Sequence, residues 1–136
     1  MFVFFWFQRL SIVLSLLVIL VACSSNGEPT LSLTTLPPGD PVHGAVLFSQ
    51  SVNGAPPCTT CHTMDESVLV GPGLKGFGAR AGTRISGESA EQYTLESITQ
   101  PASYLVPGFS NVMYNQYATA LTPQDIADLV AYLLSL

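Results

Sequence analysis

The chain has 136 residues, of which only 10% are charged; its nine acidic residues outnumber four basic ones, for a formal net charge of −5. That balance argues against nucleic acid as a partner. The length suits one small domain, and three cysteines are an awkward number for a disulfide framework.

Residues 1–22 are nearly free of polar groups, with Gln8, Arg9, Ser11 and Ser15 as the exceptions. A short apolar stretch from Leu10 to Ala22 follows the one positive charge, and its length fits a signal-peptide hydrophobic region better than a full membrane span. It ends in Leu20-Val21-Ala22-Cys23, which resembles the lipobox of bacterial lipoproteins. That resemblance implies cleavage after residue 22 and acylation of Cys23 on the extracytoplasmic face of a bacterial membrane. An uncleaved helix from Met1 is the alternative, since Phe2 to Phe7 extend the apolar run. Either arrangement tethers the remainder to a membrane.

Residues 23–39 read as a flexible linker: Pro29, Pro37 and Pro38 stand among serines and threonines without periodicity. Removing residues 1–22 takes away Arg9, which leaves Lys75, Arg80 and Arg84 against nine acids. The domain itself should occupy residues 40–136.

A first helix is expected from about Pro41 to Gln50. Asp40 is its N-cap and Pro41 its first residue, with Val42, Ala45, Val46 and Phe48 clustered by helical spacing. Next comes Cys58-Thr59-Thr60-Cys61-His62. Two thiols three positions apart, followed directly by an imidazole, suit covalent attachment of haem, one thioether bond per vinyl group, with His62 beneath the iron. A structural zinc site would need a fourth ligand from Cys23, His43 or a carboxylate. A thioredoxin-like dithiol expects a preceding strand, and Gly54-Ala55-Pro56-Pro57 offers none. With Cys23 assigned to lipid and Cys58 and Cys61 to haem, no cysteine is left over.

Gly71 to Gly87 is glycine-rich and lacks periodicity. A second helix is expected from about Ala90 to Gln100, with Ser89 as cap and Tyr93, Leu95 and Ile98 as apolar contacts. The third begins at Thr122-Pro123-Gln124-Asp125, a cap, a proline and a first-turn acid. Ile126, Leu129, Val130 and Leu133 then follow the i, i+3, i+4, i+7 pattern of a buried face. The fold class is all-α, with three or more short helices and long loops. Such loops need something to hold them, and a wrapped haem would do so.

With these residues laid out, the domain resembles a class I c-type cytochrome over most of residues 40–136. Four pieces carry the likeness: Gly39-Asp40 leading to Gly44 and Phe48, the segment Cys58 to His62, Gly71-Pro72-Gly73-Leu74-Lys75-Gly76, and Leu129-Val130-Ala131-Tyr132-Leu133. The resemblance implies that the first and last helices cross at Gly44, with Phe48 and Tyr132 filling the contact. It implies that the Pro72 carbonyl accepts a hydrogen bond from the second ring nitrogen of His62. It gives Met113, in the irregular loop before the last helix, as the second axial ligand. Met64 is two residues from His62 and on the wrong side, and His43 reads as a helix-surface residue. A proline follows the methionine in many members; here Tyr114 stands instead.

Arg80, four residues past Gly76, is where the family often pairs an arginine with a haem propionate. Tyr93, Pro101, Tyr104 and Val106-Pro107-Gly108 also resemble the cytochrome domain of some terminal oxidase subunits. What the likeness implies is a carrier of single electrons rather than an enzyme. Its expected partners are respiratory or photosynthetic redox proteins, such as a quinol-oxidising complex or a terminal oxidase. The rival expectation is a haem peroxidase or gas-binding sensor with a displaceable methionine.

Overall fold

The computed structural model describes residues 31–136. The expected signal sequence and Cys23 lie outside the described residues. Among the described residues five α-helices follow in order: α1 Pro41–Phe48, α2 Phe77–Ala81, α3 Ala90–Thr99, α4 Tyr117–Ala120 and α5 Pro123–Leu134. Among the described residues there is no strand, and one isolated bridge joins Val52 to Ala55.

The three expected helices start where their caps put them. The Asp40 side chain accepts from Val42 N at 2.8 Å, and Ser89 Oγ accepts from Gln92 N at 3.1 Å. Thr122 and Asp125 form a reciprocal capping box, which satisfies two donors that would otherwise be orphaned at the start of α5. The apolar face read from the α5 sequence is the buried one, with Ile126 fully enclosed and Leu129, Val130 and Leu133 beside it. Leu95 from α3 is as deeply buried. Each such aliphatic side chain contributes about 2 kcal/mol relative to exposure.

α1 and α5 cross at Gly44. A methyl group there would overlap the Asp128 carbonyl oxygen and crowd Tyr132 Cβ, so only hydrogen lets the backbones come this close. Phe48 and Tyr132 meet edge to face beside the crossing, ring centroids 5.7 Å apart. Asp128, 2% exposed, ties the crossing together. Its Oδ1 accepts from Asp40 N at 2.6 Å and from Gln124 Nε2 at 2.8 Å, and its Oδ2 pairs with His43 Nδ1 at 2.7 Å. His43 is therefore half exposed but engaged, not a free surface residue.

Three expectations need correcting. α1 stops at Phe48, and its inner face is Gly44, Leu47 and Phe48, whereas Val42 is 75% exposed and Val46 also faces outward. The helix turns according to where Gly44 must sit, which outweighs the apolar count of so short a segment. Secondly, residues 31–39 are not free: Leu31, Leu33 and Leu36 pack against the core around a single 3-10 turn, Leu33–Thr35. Gln124 Nε2 also donates to Pro38 O at 3.0 Å. Three leucines embedded in a Pro/Ser/Thr composition bury apolar area that composition alone does not reveal. Thirdly, the glycine-rich stretch contains α2, entered through Gly76 at φ +64° and pressed on the last helix where Gly78 meets the Leu134 carbonyl.

Candidate haem site

Pro57 leads into a 3-10 turn, Cys58–Thr60, and both Cys61 N and His62 N return to Cys58 O, at 3.1 and 3.0 Å. That winding brings positions i, i+3 and i+4 to one side, so Cys58, Cys61 and His62 all line the same cleft. Tyr117, on α4, steadies the approach by donating its hydroxyl to Pro56 O at 2.8 Å.

The chain after His62 folds back on the turn. Gly71 N donates to Cys61 O and Leu74 N to Thr63 O, both at 2.9 Å. Thr63 Oγ1 donates to Ser67 O at 2.5 Å. The result is that Pro72 O lies 2.9 Å from His62 Nδ1. A carbonyl can only accept, so in the neutral ring Nδ1 carries the proton and Nε2 keeps its lone pair. An imidazole held this way is oriented for a metal and made more basic towards it. Gly71 makes the approach possible: a Cβ there would come within 2.8 Å of Nδ1 and 2.9 Å of Nε2.

The cleft is half open, spans about 970 Å³ when its solvent-open part is included, and is lined mainly by apolar side chains. Phe77 stacks on Tyr93 with centroids 6.1 Å apart, and Tyr104 meets Tyr93 edge-on at 5.9 Å. All three rings line it, as do Phe109, Leu133 and Met113. Of the three side chains weighed as a second ligand, Met113 is the one on this lining. His43 is held by Asp128, and Met64 lies against the Tyr132 hydroxyl at 3.7 Å.

Burial pushes the Cys58 thiol up to about 11. Such a sulfur resists ionisation, and a thioether, which carries no proton or charge, suits the position better than a thiolate. The residues present fit a haem: two thiols for covalent attachment, an oriented imidazole, a thioether and an apolar cradle. Arg80 is placed differently from the rest. It does not line the cleft; its guanidinium donates to the carbonyls of Lys75 and, at 3.3 Å, Gly73, bracing the loop that carries Pro72.

The cytochrome c family model matches residues 42–136. The chain belongs to the cytochrome c family. A search of curated proteins gives no match. As a cytochrome c the protein binds covalently attached haem c and acts as a haem electron carrier, a role typically performed outside the cytoplasm. Among the described residues no helix is long and apolar enough to cross a membrane.

Sequence reasoning missed two parts of this cytochrome c site. Gly71 was read as a motif letter, although a carbonyl that must approach an imidazole calls for a glycine beside it. The Phe77–Tyr93–Tyr104 wall was also missed, because its members come from three segments whose meeting no local period reveals.

Proposed function

We propose that this cytochrome c is of class I, with His62 and Met113 as the two axial ligands of its iron. We further propose that it is a lipoprotein, anchored through Cys23 outside the cytoplasm and exchanging single electrons with respiratory or photosynthetic redox proteins. A quinol-oxidising complex and a terminal oxidase are the partners its likeness to oxidase-linked cytochrome domains suggests. The observation that carries the ligand assignment is that Met113 lines the same cleft as Cys58, Cys61 and His62.

Bound haem supplies a one-electron couple. Histidine and methionine together would fill both axial positions, which favours electron transfer over substrate activation, and the thioether raises the potential. The chain's own part is to orient the His62 ring through the Pro72 carbonyl and to exclude water with the aromatic wall. Arg80 retains N–H groups beyond those given to carbonyls, and these are the proposed partners of a propionate. Apart from His62, the cleft lining holds no histidine, carboxylate, lysine or arginine, so a peroxidase would have to draw on the Tyr93 and Tyr104 hydroxyls, which speaks against that reading.

Replacing Met113 with Ala tests the assignment. Haem should stay attached, the methionine–iron charge-transfer band of the oxidised protein should vanish, the potential should fall, and carbon monoxide should bind the reduced form. A variant with the parent spectrum and potential refutes Met113 as ligand.

A further inference from the structure

We propose that α4 is a clamp that fixes the Met113 loop relative to Cys58, and that Asn53 and Tyr117 are the positioning residues that close it. The proposal rests on the reading of Met113 as axial ligand and adds how the chain holds that ligand. Among the described residues, 106–116 make no hydrogen bond to any segment except α4, which follows them directly. Phe109 N returns to Val106 O and Val112 N to Ser110 O, both at 3.0 Å, and the Tyr114 hydroxyl donates to Gln116 Oε1. Met113 and Tyr114 pack against the core, but apolar contact has no direction and leaves such a loop free to slide.

The first polar ties to a distant segment come at α4. The Tyr117 hydroxyl donates to Pro56 O at 2.8 Å, and Asn53 Nδ2 donates to Ala120 O at 2.9 Å. Both ends of this four-residue helix are thus held, and both by the segment that leads into Cys58. A helix of one turn does not persist by its own hydrogen bonds, so its place depends on these two hooks. Ala120 O is among the last carbonyls of α4, which have no intrahelical donor, and the Asn53 amide supplies one.

The segment that carries the hooks is stiff. Asn53 and Gly54, at φ 48° and 86°, make a two-residue turn, closed by Val52 N to Ala55 O at 3.2 Å and Ala55 N to Val52 O at 2.9 Å. Ala55 is buried and seats the turn in the core. Pro56 and Pro57 then fix the backbone up to Cys58. On the other side Tyr114 meets the buried Tyr117 ring edge to face, centroids 5.0 Å apart. A short closed ring results, running from Cys58 through the prolines and the Tyr117 hydroxyl back along the chain to Met113. Neither Asn53 nor Tyr117 lines the cleft, so each acts through the residues it holds. Tyr117 also adjoins the Cys58 thiol, whereas the partner of Asn53 lies on α4 alone, which makes Asn53 the deciding position.

The test uses the full-length holoprotein. Tyr117→Phe and Asn53→Gly should each keep covalent haem, weaken the methionine–iron charge-transfer band and speed carbon monoxide binding to the reduced form about fivefold, since each removes one neutral hydrogen bond. Glycine keeps the backbone of the turn, so Asn53→Gly removes the hook alone. Asn53→Asp should behave alike at neutral pH, because a carboxylate cannot donate to Ala120 O. Below about pH 4 its band should return towards that of the parent at the same pH, as the protonated carboxyl donates again. Ser89→Ala unseats the cap of α3 and controls for a general loss of stability; its band and carbon monoxide rate should match the parent. A parent band and rate in Asn53→Gly overturns the proposal, whatever Tyr117→Phe does, and so does an equal change in Ser89→Ala. A parent protein that lacks the band refutes Met113 as ligand; with the band present in the parent, the variants decide the clamp alone.

Discussion

The imidazole of His62 and the carbonyl of Pro72 are 2.9 Å apart, joined across a loop that returns to the attachment turn within ten residues. What permits that distance is Gly71, whose missing side chain leaves room for the ring. Replacing Gly71 with Ala should therefore push His62 out of line. We expect a loss of about 2 kcal/mol in denaturant unfolding and a ligand-exchange signature, faster carbon monoxide binding, at normal haem content. A variant matching the parent in both would show that the ring tolerates the intrusion.

Covalent attachment predicts the behaviour of Cys58→Ser/Cys61→Ser. Haem should be lost on denaturation, and intact mass should lack the adduct present in the parent. Haem that stays with this double variant through denaturant contradicts attachment at these two sulfurs.

The α1–α5 crossing should be the least forgiving place in the fold. Gly44→Ala drives a methyl group into the Asp128 carbonyl, which is backbone and cannot rotate away. A destabilisation of about 3 kcal/mol is expected in chemical denaturation. A cost below about 1 kcal/mol would mean that the helices can slide apart at little penalty.

His43 and Asp128 give the crossing a pH dependence. The hydrogen bond that His43 Nδ1 donates to Asp128 raises the His43 pKa above its ordinary value of 6.5. Burial acts to raise the carboxyl of Asp128, but the Asp40 N–H, His43 and Gln124 outweigh it and hold the group below 3.8. A raised histidine stabilises below its unfolded pKa and loses that contribution as pH climbs through the folded value. A depressed carboxylate stabilises above its unfolded pKa and loses it as acid protonates the folded group. Both contributions are in force together between about pH 4 and 6.5. The denaturation midpoint of the parent should decline on the alkaline side of that window, and His43→Gln should flatten the decline. An equal decline in the variant removes His43 from the account.

Much of this was legible where chemistry is local. Thr122, Pro123 and Asp125 announce α5 because capping is settled within four residues, and Cys58 to His62 announces its cofactor because attachment needs adjacent groups. α1 was half legible. Its cap was right and its face wrong, since Gly44 and not the apolar tally decides which side meets α5. α2 and α4, at five and four residues, are too short for a period to register, and packing holds them rather than propensity. Arg80 shows the same limit, because its carbonyl partners depend on a loop path that only the folded backbone defines.

The joint between Gly44 and Asp128 also orders events in time. Its halves stand near opposite ends of the domain, and Leu133, which closes one side of the cleft, follows His62 by about seventy residues. A chain emerging from its N-terminus presents Cys58, Cys61 and His62 well before that wall exists. The attachment turn is closed by its own local hydrogen bonds, whereas the cleft wall needs α5, so a chain truncated before α5 is expected to keep the turn and lack the wall.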